Sequence, residues 1–216
     1  RFPELLLEGC SGGGGRFDAG MLYYCPQIWC SDNTDAIERL RIQYGTSFGY
    51  PMSSVSAHVS VCPNHQNHRV TPFKTRGICA MQGTFGYELD LSKMTDEEKK
   101  MAGEQIAFFK EHGRLFQFGD YYRLTSPFEN RDYTVWEYAA QDGSEACMSV
   151  VYTDMYANAA SEIVKWKGLD PKKVYQMQLD GEDAGNFSGA ALMHAGILLP
   201  LPEQNYDAFQ IYLKAE

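Results

Sequence analysis

The spacing of apolar segments changes character near Asp120, and this change constrains the chain more than any other feature of its sequence. Before it, short apolar runs alternate with helical patterns, as successive βα units require. Residues 5–7, three leucines, predict a buried strand already under way, and the glycine-rich segment Ser11-Gly12-Gly13-Gly14-Gly15-Arg16 follows it. Gln27-Ile28-Trp29 predict a second short strand, followed by Ser31-Asp32-Asn33-Thr34. A helix begins near Asp35, with Ile37, Leu40 and Tyr44 on one face. Residues 54–61 predict a third strand, and the loop 63–68 leads to a helix begun by Pro72. Thr95-Asp96-Glu97-Glu98 reads as a capping box that opens the longest helix. That helix is expected to run to about Phe118 with Met101, Ile106, Phe109 and Phe116 inward. After Asp120 the pattern is β. Residues 121–124, 133–140, 146–152, 162–166, 174–179, 191–193 and 208–213 are strand-like, and turn signals such as Gln141-Asp142-Gly143 and Asp180-Gly181 separate several of them. Seven short strands at this spacing predict an antiparallel sandwich.

With 216 residues, 44% of them hydrophobic, the chain can build one large domain or two small ones. A net charge of −9 and a pI near 5.0 argue against nucleic acid as a partner. The sequence has no run of 18 apolar residues, so no membrane-spanning helix is expected. Tyr is the commonest aromatic, and it suits both cores and sugar pockets, where a flat apolar face meets hydroxyl groups. The chain opens without an initiator Met or a basic, signal-like segment, so residue 1 is read as a truncation point. The six Cys (Cys10, Cys25, Cys30, Cys62, Cys79 and Cys147) have no paired or metal-type spacing. They are expected to be reduced thiols in the core of a cytoplasmic protein.

Two segments can carry chemistry. Four consecutive glycines after a strand let the backbone approach a ligand closely, with N–H groups free to donate. A flexible surface loop would have the same composition, and the absence of a following Lys-Ser/Thr argues against a phosphate loop. In Trp29-Cys30-Ser31-Asp32-Asn33-Thr34-Asp35, an acidic residue follows a strand and precedes a helix. Any of Asp32, Asn33, Thr34 or Asp35 could cap that helix. If Thr34 or Asp35 does so, Asp32 is free for other work, and Trp29 supplies an apolar wall able to hold a carboxylic acid protonated. His58, His65 and His68 are poorly spaced for a metal, and the last two read as loop structure or as lining for the acceptor side of a sugar site.

Three stretches together resemble the α-galactosidases of glycoside hydrolase family 36. They are Glu8-Gly9-Cys10-Ser11-Gly12-Gly13-Gly14-Gly15-Arg16-Phe17-Asp18, Pro26-Gln27-Ile28-Trp29 and Ser31-Asp32-Asn33-Thr34-Asp35-Ala36-Ile37-Glu38-Arg39-Leu40. The likeness continues through Ala57-His58-Val59-Ser60, Pro63-Asn64-His65-Gln66, Phe85-Gly86-Tyr87-Glu88, Phe118-Gly119-Asp120-Tyr121 and Lys167-Gly168-Leu169-Asp170-Pro171. The resemblance implies α/β plus all-β architecture. Residues 1–118 would be the last part of a (β/α)8 TIM barrel, and residues 119–216 a C-terminal antiparallel β-sandwich. It implies a retaining mechanism that needs no cofactor or metal. Asp32 matches the family's acid/base, while the Lys-Trp-Asp motif that carries the nucleophile does not occur. By the same resemblance Cys10, Ser11, Gly12 and Gly13 face the galactosyl ring and Trp29 walls that subsite. Gly9 and Cys30 stand where Ser and Thr are more usual in the family. The implied partners are α-galactoside oligosaccharides such as melibiose, raffinose and stachyose, and the full-length enzyme is expected to be a homo-oligomer, a tetramer in many family members. A raffinose-synthase-like galactosyltransferase and a non-catalytic carbohydrate-binding module are the competing readings.

Overall fold

The computed structural model describes residues 2–10, 12, 15 and 17–216. The chain divides into two compact units, Arg1–Glu111 and His112–Glu216.

The first unit is α/β. Strands β1 (Glu8–Gly9), β2 (Gln27–Trp29), β3 (Val55–Ser60) and β4 (Thr84–Glu88) form a parallel sheet in sequence order. Helix α1 (Ala36–Thr46) connects β2 to β3, and α2 (Phe73–Ala80) connects β3 to β4. Ala57 and Val59 of β3 are fully buried against Phe73 and Ala80 of α2. Because side chains alternate along a strand, His58 between them lies on the other face. α3 (Asp96–Glu111) opens on a reciprocal capping box, in which Thr95 Oγ1 accepts from Glu98 N at 3.1 Å and Glu98 Oε2 from Thr95 N at 3.0 Å.

Residues 5–7 do not form the expected buried strand. Leu5, Leu6 and Leu7 are exposed, and β1 is confined to Glu8–Gly9. Its partner starts at Gln27, directly after Pro26, which has no N–H to extend the ladder backwards. A fourth strand, β4, is present where the sequence predicted three. The expected long helix is also two: α3 ends at Glu111, and α4 (Gly113–Phe118) starts after His112, whose ψ of 18° leaves the helical range.

The second unit is mainly β. β5 (Asp120–Arg123), β6 (Tyr133–Ala139), β7 (Glu145–Tyr152), β9 (Val174–Leu179), β10 (Glu182–Ser188) and β12 (Ala208–Ala215) form an antiparallel sheet in the order β10-β9-β12-β7-β6-β5. β8 (Ile163–Val164) and β11 (Ile197–Leu198) pair separately. Val135, Met148, Val150, Trp166, Tyr175 and Leu213 belong to its core. The Asp180-Gly181 turn joins β9 to β10 with both residues at positive φ, 51° and 87°, matching the twist of a hairpin. β10 escaped the sequence reading because its exposed edge is polar. Residues 191–193, expected as a strand, lie in helix α5 (Gly189–His194), where Ser188 Oγ accepts from Ala191 N and caps a run of Ala, Leu and Met.

Candidate active site

Parallel pairing brings the C-terminal ends of β1, β2 and β3 to one edge of the sheet, so the loops that follow Gly9, Trp29 and Ser60 all leave from there. Trp29 ends β2 and is buried. The His58 ring stacks on it with centroids 4.3 Å apart, and the guanidinium carbon of Arg39 lies 4.3 Å from the indole centroid. His58 Nδ1 is 2.9 Å from Glu88 Oε2 on β4. Gly86, its partner in the ladder, leaves room for the imidazole, since a Cβ there would come within 3.3 Å of His58 Cδ2.

The loop between β2 and α1 presents Asp32 to solvent and fixes almost every other polar group around it. Asp35 caps α1, accepting from Glu38 N at 3.1 Å, and its carboxylate also pairs with Arg69. Asn33 N donates to Ser31 Oγ, and Asp35 N to Asn33 Oδ1. From α1, Arg39 reaches back beneath the loop. Its Nη1 donates to the carbonyls of Ser31 at 3.2 Å and Asn33 at 3.1 Å, on either side of Asp32. Nη2 donates to Ser56 O at 2.8 Å and to Cys30 Sγ at 3.6 Å, and Nε to Gln43 Oε1 at 2.9 Å. Burial pulls the Arg39 pKa below its ordinary value, and the neighbouring Cys30 opposes this.

The β3–α2 loop supplies the second support. Asn64 is buried and organises the loop by accepting from Gln66 N at 2.9 Å and Asn67 N at 3.2 Å, and its Nδ2 donates to Thr34 Oγ1 at 3.0 Å. Gln66 Nε2 donates to Asp32 O at 2.9 Å, while its Oε1 accepts from Thr34 N at 2.9 Å. His65 and His68 lie exposed in this loop.

Of the residues singled out from the sequence, Asp32 and Trp29 sit at the end of β2, and Cys10 follows the adjacent β1, exposed. Gly12 has φ +55°, a left-handed conformation that glycine adopts without strain, and among the described residues nothing lies within 4 Å of a Cβ placed on it. Ser11 and Gly13 lie outside the described residues. Among the described residues no three His, Cys, Asp or Glu side chains are grouped to hold a metal, all six Cys are unpaired, and no helix is long and apolar enough to cross a membrane. Asp18, the other acidic residue near the glycine segment, accepts from Met21 N at 2.9 Å and closes its own turn. Arg39, Gln43, Asn64 and Glu88 were not picked out by type or spacing, and their roles depend on partners in other elements.

The Melibiase family model matches residues 1–119, and the glycosyl hydrolase family 36 C-terminal domain model matches residues 133–213. The bifunctional α-galactosidase/sucrose kinase AgaSK of Mediterraneibacter gnavus is 55% identical over 97% of this chain and 22% of its own length. The α-galactosidase AgaA of Geobacillus stearothermophilus is 50% identical over 100% of this chain and 29% of its own. Crystal structures of AgaA variants in complex with raffinose and with stachyose superpose with TM-scores of 0.94 and 0.95, at 49% and 50% identity, each covering 100% of this chain and 29% of AgaA. The chain thus spans less than a third of the length of these relatives. On the two family matches, the chain belongs to the melibiases of glycosyl hydrolase family 36.

Proposed function

We propose that this chain supplies the acid/base half of a retaining α-galactosidase active site, with Asp32 as the proton donor. The observation that carries the reading is the contrast at Asp32: an exposed carboxylate at a strand's C-terminal end, on a backbone held from both sides by Arg39 and Gln66. In a retaining reaction such a group protonates the departing glycosidic oxygen and then takes a proton from the attacking water. Trp29 walls the galactosyl subsite, and Cys10, Ser11, Gly12 and Gly13 face the ring near its 2-hydroxyl. The four parallel strands are read as the last part of a (β/α)8 barrel, residues 1–118, and residues 119–216 as a C-terminal antiparallel sandwich. A strand-end carboxylate is where barrel enzymes place their chemistry.

The partner carboxylate is assigned to chain outside these 216 residues. The only Lys-Trp here is Lys165-Trp166, followed by Lys167. Terminal α-galactosides of the melibiose, raffinose and stachyose type are the proposed substrates, supported by the sugars bound in the AgaA crystals. The complete enzyme is proposed to act as a cytoplasmic homo-oligomer without cofactor.

Asp32→Ala in the full-length protein tests the assignment. Turnover of raffinose, with its poor leaving group, is expected to fall about a hundredfold or more. Formation of the glycosyl-enzyme from p-nitrophenyl α-galactoside is expected to fall far less, and azide to restore turnover. Equal losses on both substrates without azide rescue would remove Asp32 from this role.

A further inference from the structure

A carboxyl that must meet a leaving oxygen at bonding distance works only as well as its peptide is held, because small misplacements in the near-attack geometry cost rate steeply. Among the described residues nothing hydrogen-bonds the Asp32 carboxylate itself, so its placement falls to the backbone. Among the described residues Gln66 makes the one side-chain bond to the carbonyl of Asp32, 2.9 Å from Nε2. Its Oε1 accepts in the same span from Thr34 N at 2.9 Å and Thr34 Oγ1 at 3.3 Å. The amide therefore bridges residues 32–34 as a neighbouring strand would, with donor and acceptor presented together. An ionised carboxylate of the same shape offers acceptors only. The arm that carries Gln66 is fastened independently, by Asn64 to Thr34 Oγ1 and by Arg69 to Asp35.

We infer that Gln66 is a positioning residue for Asp32, holding the acid's peptide so that its carboxyl reaches the glycosidic oxygen. The inference rests on Asp32 being the acid/base. Gln66 is exposed, so its replacement leaves the core of the fold untouched.

The test uses the full-length protein with Gln66→Met, close in shape but without the two bonds, and Gln66→Glu. For Gln66→Met, kcat on raffinose is expected to fall about tenfold with KM changed less than about twofold, while formation of the glycosyl-enzyme from p-nitrophenyl α-galactoside falls less than about threefold. For Gln66→Glu, the ionised side chain sets an acceptor against the Asp32 carbonyl, and protonation restores the donor. The raffinose activity of that variant relative to wild type is therefore expected to climb as pH falls toward the ordinary glutamate pKa of about 4.3. Losses equal on the two substrates, or a ratio to wild type that stays flat with pH, would overturn the role. Asp32→Ala measured alongside separates the two ideas. If it spares raffinose as much as the aryl substrate, the acid/base reading falls. If it is selective and the Gln66 variants are not, only the positioning role falls.

Discussion

A buried guanidinium needs partners for five N–H donors, and Arg39, 2% exposed, donates to no carboxylate among the described residues. It spends its fork on three main-chain carbonyls, a thiol and the side chain of Gln43, and rests against Trp29. Gln43 is itself buried and passes the network on, donating to Cys79 O at 3.1 Å and Gln82 Oε1 at 2.6 Å. Arg39→Met would strand several of these acceptors, each worth roughly 1–3 kcal/mol when buried and unpaired. A loss of about 3 kcal/mol is therefore expected in urea unfolding of the chain, with Arg39→Lys intermediate, because an ammonium keeps the charge but cannot fork. A Met variant as stable as wild type would show that the bonds add nothing. This is also where the sequence runs out. Asp32 and Trp29 are legible because strand, acid and helix cap follow one another in the chain, and the helix cap indeed falls on Asp35. Arg39 and Gln66 act on backbone carbonyls and amides, which every residue type supplies, so no pattern of residue types reveals them. Arginine on a helix face is ordinarily solvated.

Glu137 poses a similar question for a whole strand. β6 alternates so that Val135, Glu137 and Ala139 share one face, and Val135 and Ala139 belong to the core of the second unit. Glu137 is 0% exposed and accepts from Lys167 N through both carboxyl oxygens, at 3.3 Å and 3.0 Å. Burial pushes its pKa up to about 8, and the Lys167 N–H and ammonium oppose the rise. In the unfolded chain it titrates near the ordinary glutamate value, so between about pH 4.3 and pH 8 the folded state keeps a proton that the unfolded state releases. Stability from this residue is fullest below the unfolded pKa and is lost as pH rises through the folded one, at roughly 1.4 kcal/mol per pH unit in between. Glu137→Gln keeps an acceptor for the Lys167 N–H and removes the titration. It is expected to flatten the fall in unfolding free energy between pH 5 and pH 8 and to exceed wild type at pH 8, and identical slopes for the two proteins would refute this. At the same scale, elements with a strong apolar period, such as β3, β6 and β7, were readable in advance. The polar edge strand β10 had no apolar period to find, and α5 was hidden because its short apolar run suits either structure until the Ser188 cap is counted.

For the molecule as a whole, the change of apolar spacing near Asp120 was enough to anticipate α/β structure followed by β structure, since a period is a property of the chain and survives any packing. A complete catalytic pair does not follow from it. Among the described residues, β1 and β4 are each paired on one side only, so the parallel sheet has two open edges. A retaining glycosidase needs a second carboxylate about 5 Å from the acid/base, across the anomeric carbon. The described carboxylates near the Asp32 loop and the ends of the neighbouring strands are already engaged. Asp35 caps α1 and pairs with Arg69, Glu38 accepts from Asn33, Glu88 holds His58, and Asp18 closes its own turn. Releasing Asp35 to attack an anomeric carbon would cost a helix cap and an ion pair, releasing Asp18 a turn, and releasing Glu38 or Glu88 a side-chain hydrogen bond. The isolated 216-residue chain is therefore expected to show no turnover of p-nitrophenyl α-galactoside above the rate in buffer, and the full-length protein is expected to turn it over. The aryl substrate makes the comparison stringent, because its leaving group needs little help from a general acid and any surviving nucleophile would register. Hydrolysis by the isolated chain that disappears in Asp32→Ala would mean that one of these engaged carboxylates, or one outside the described residues, completes the pair.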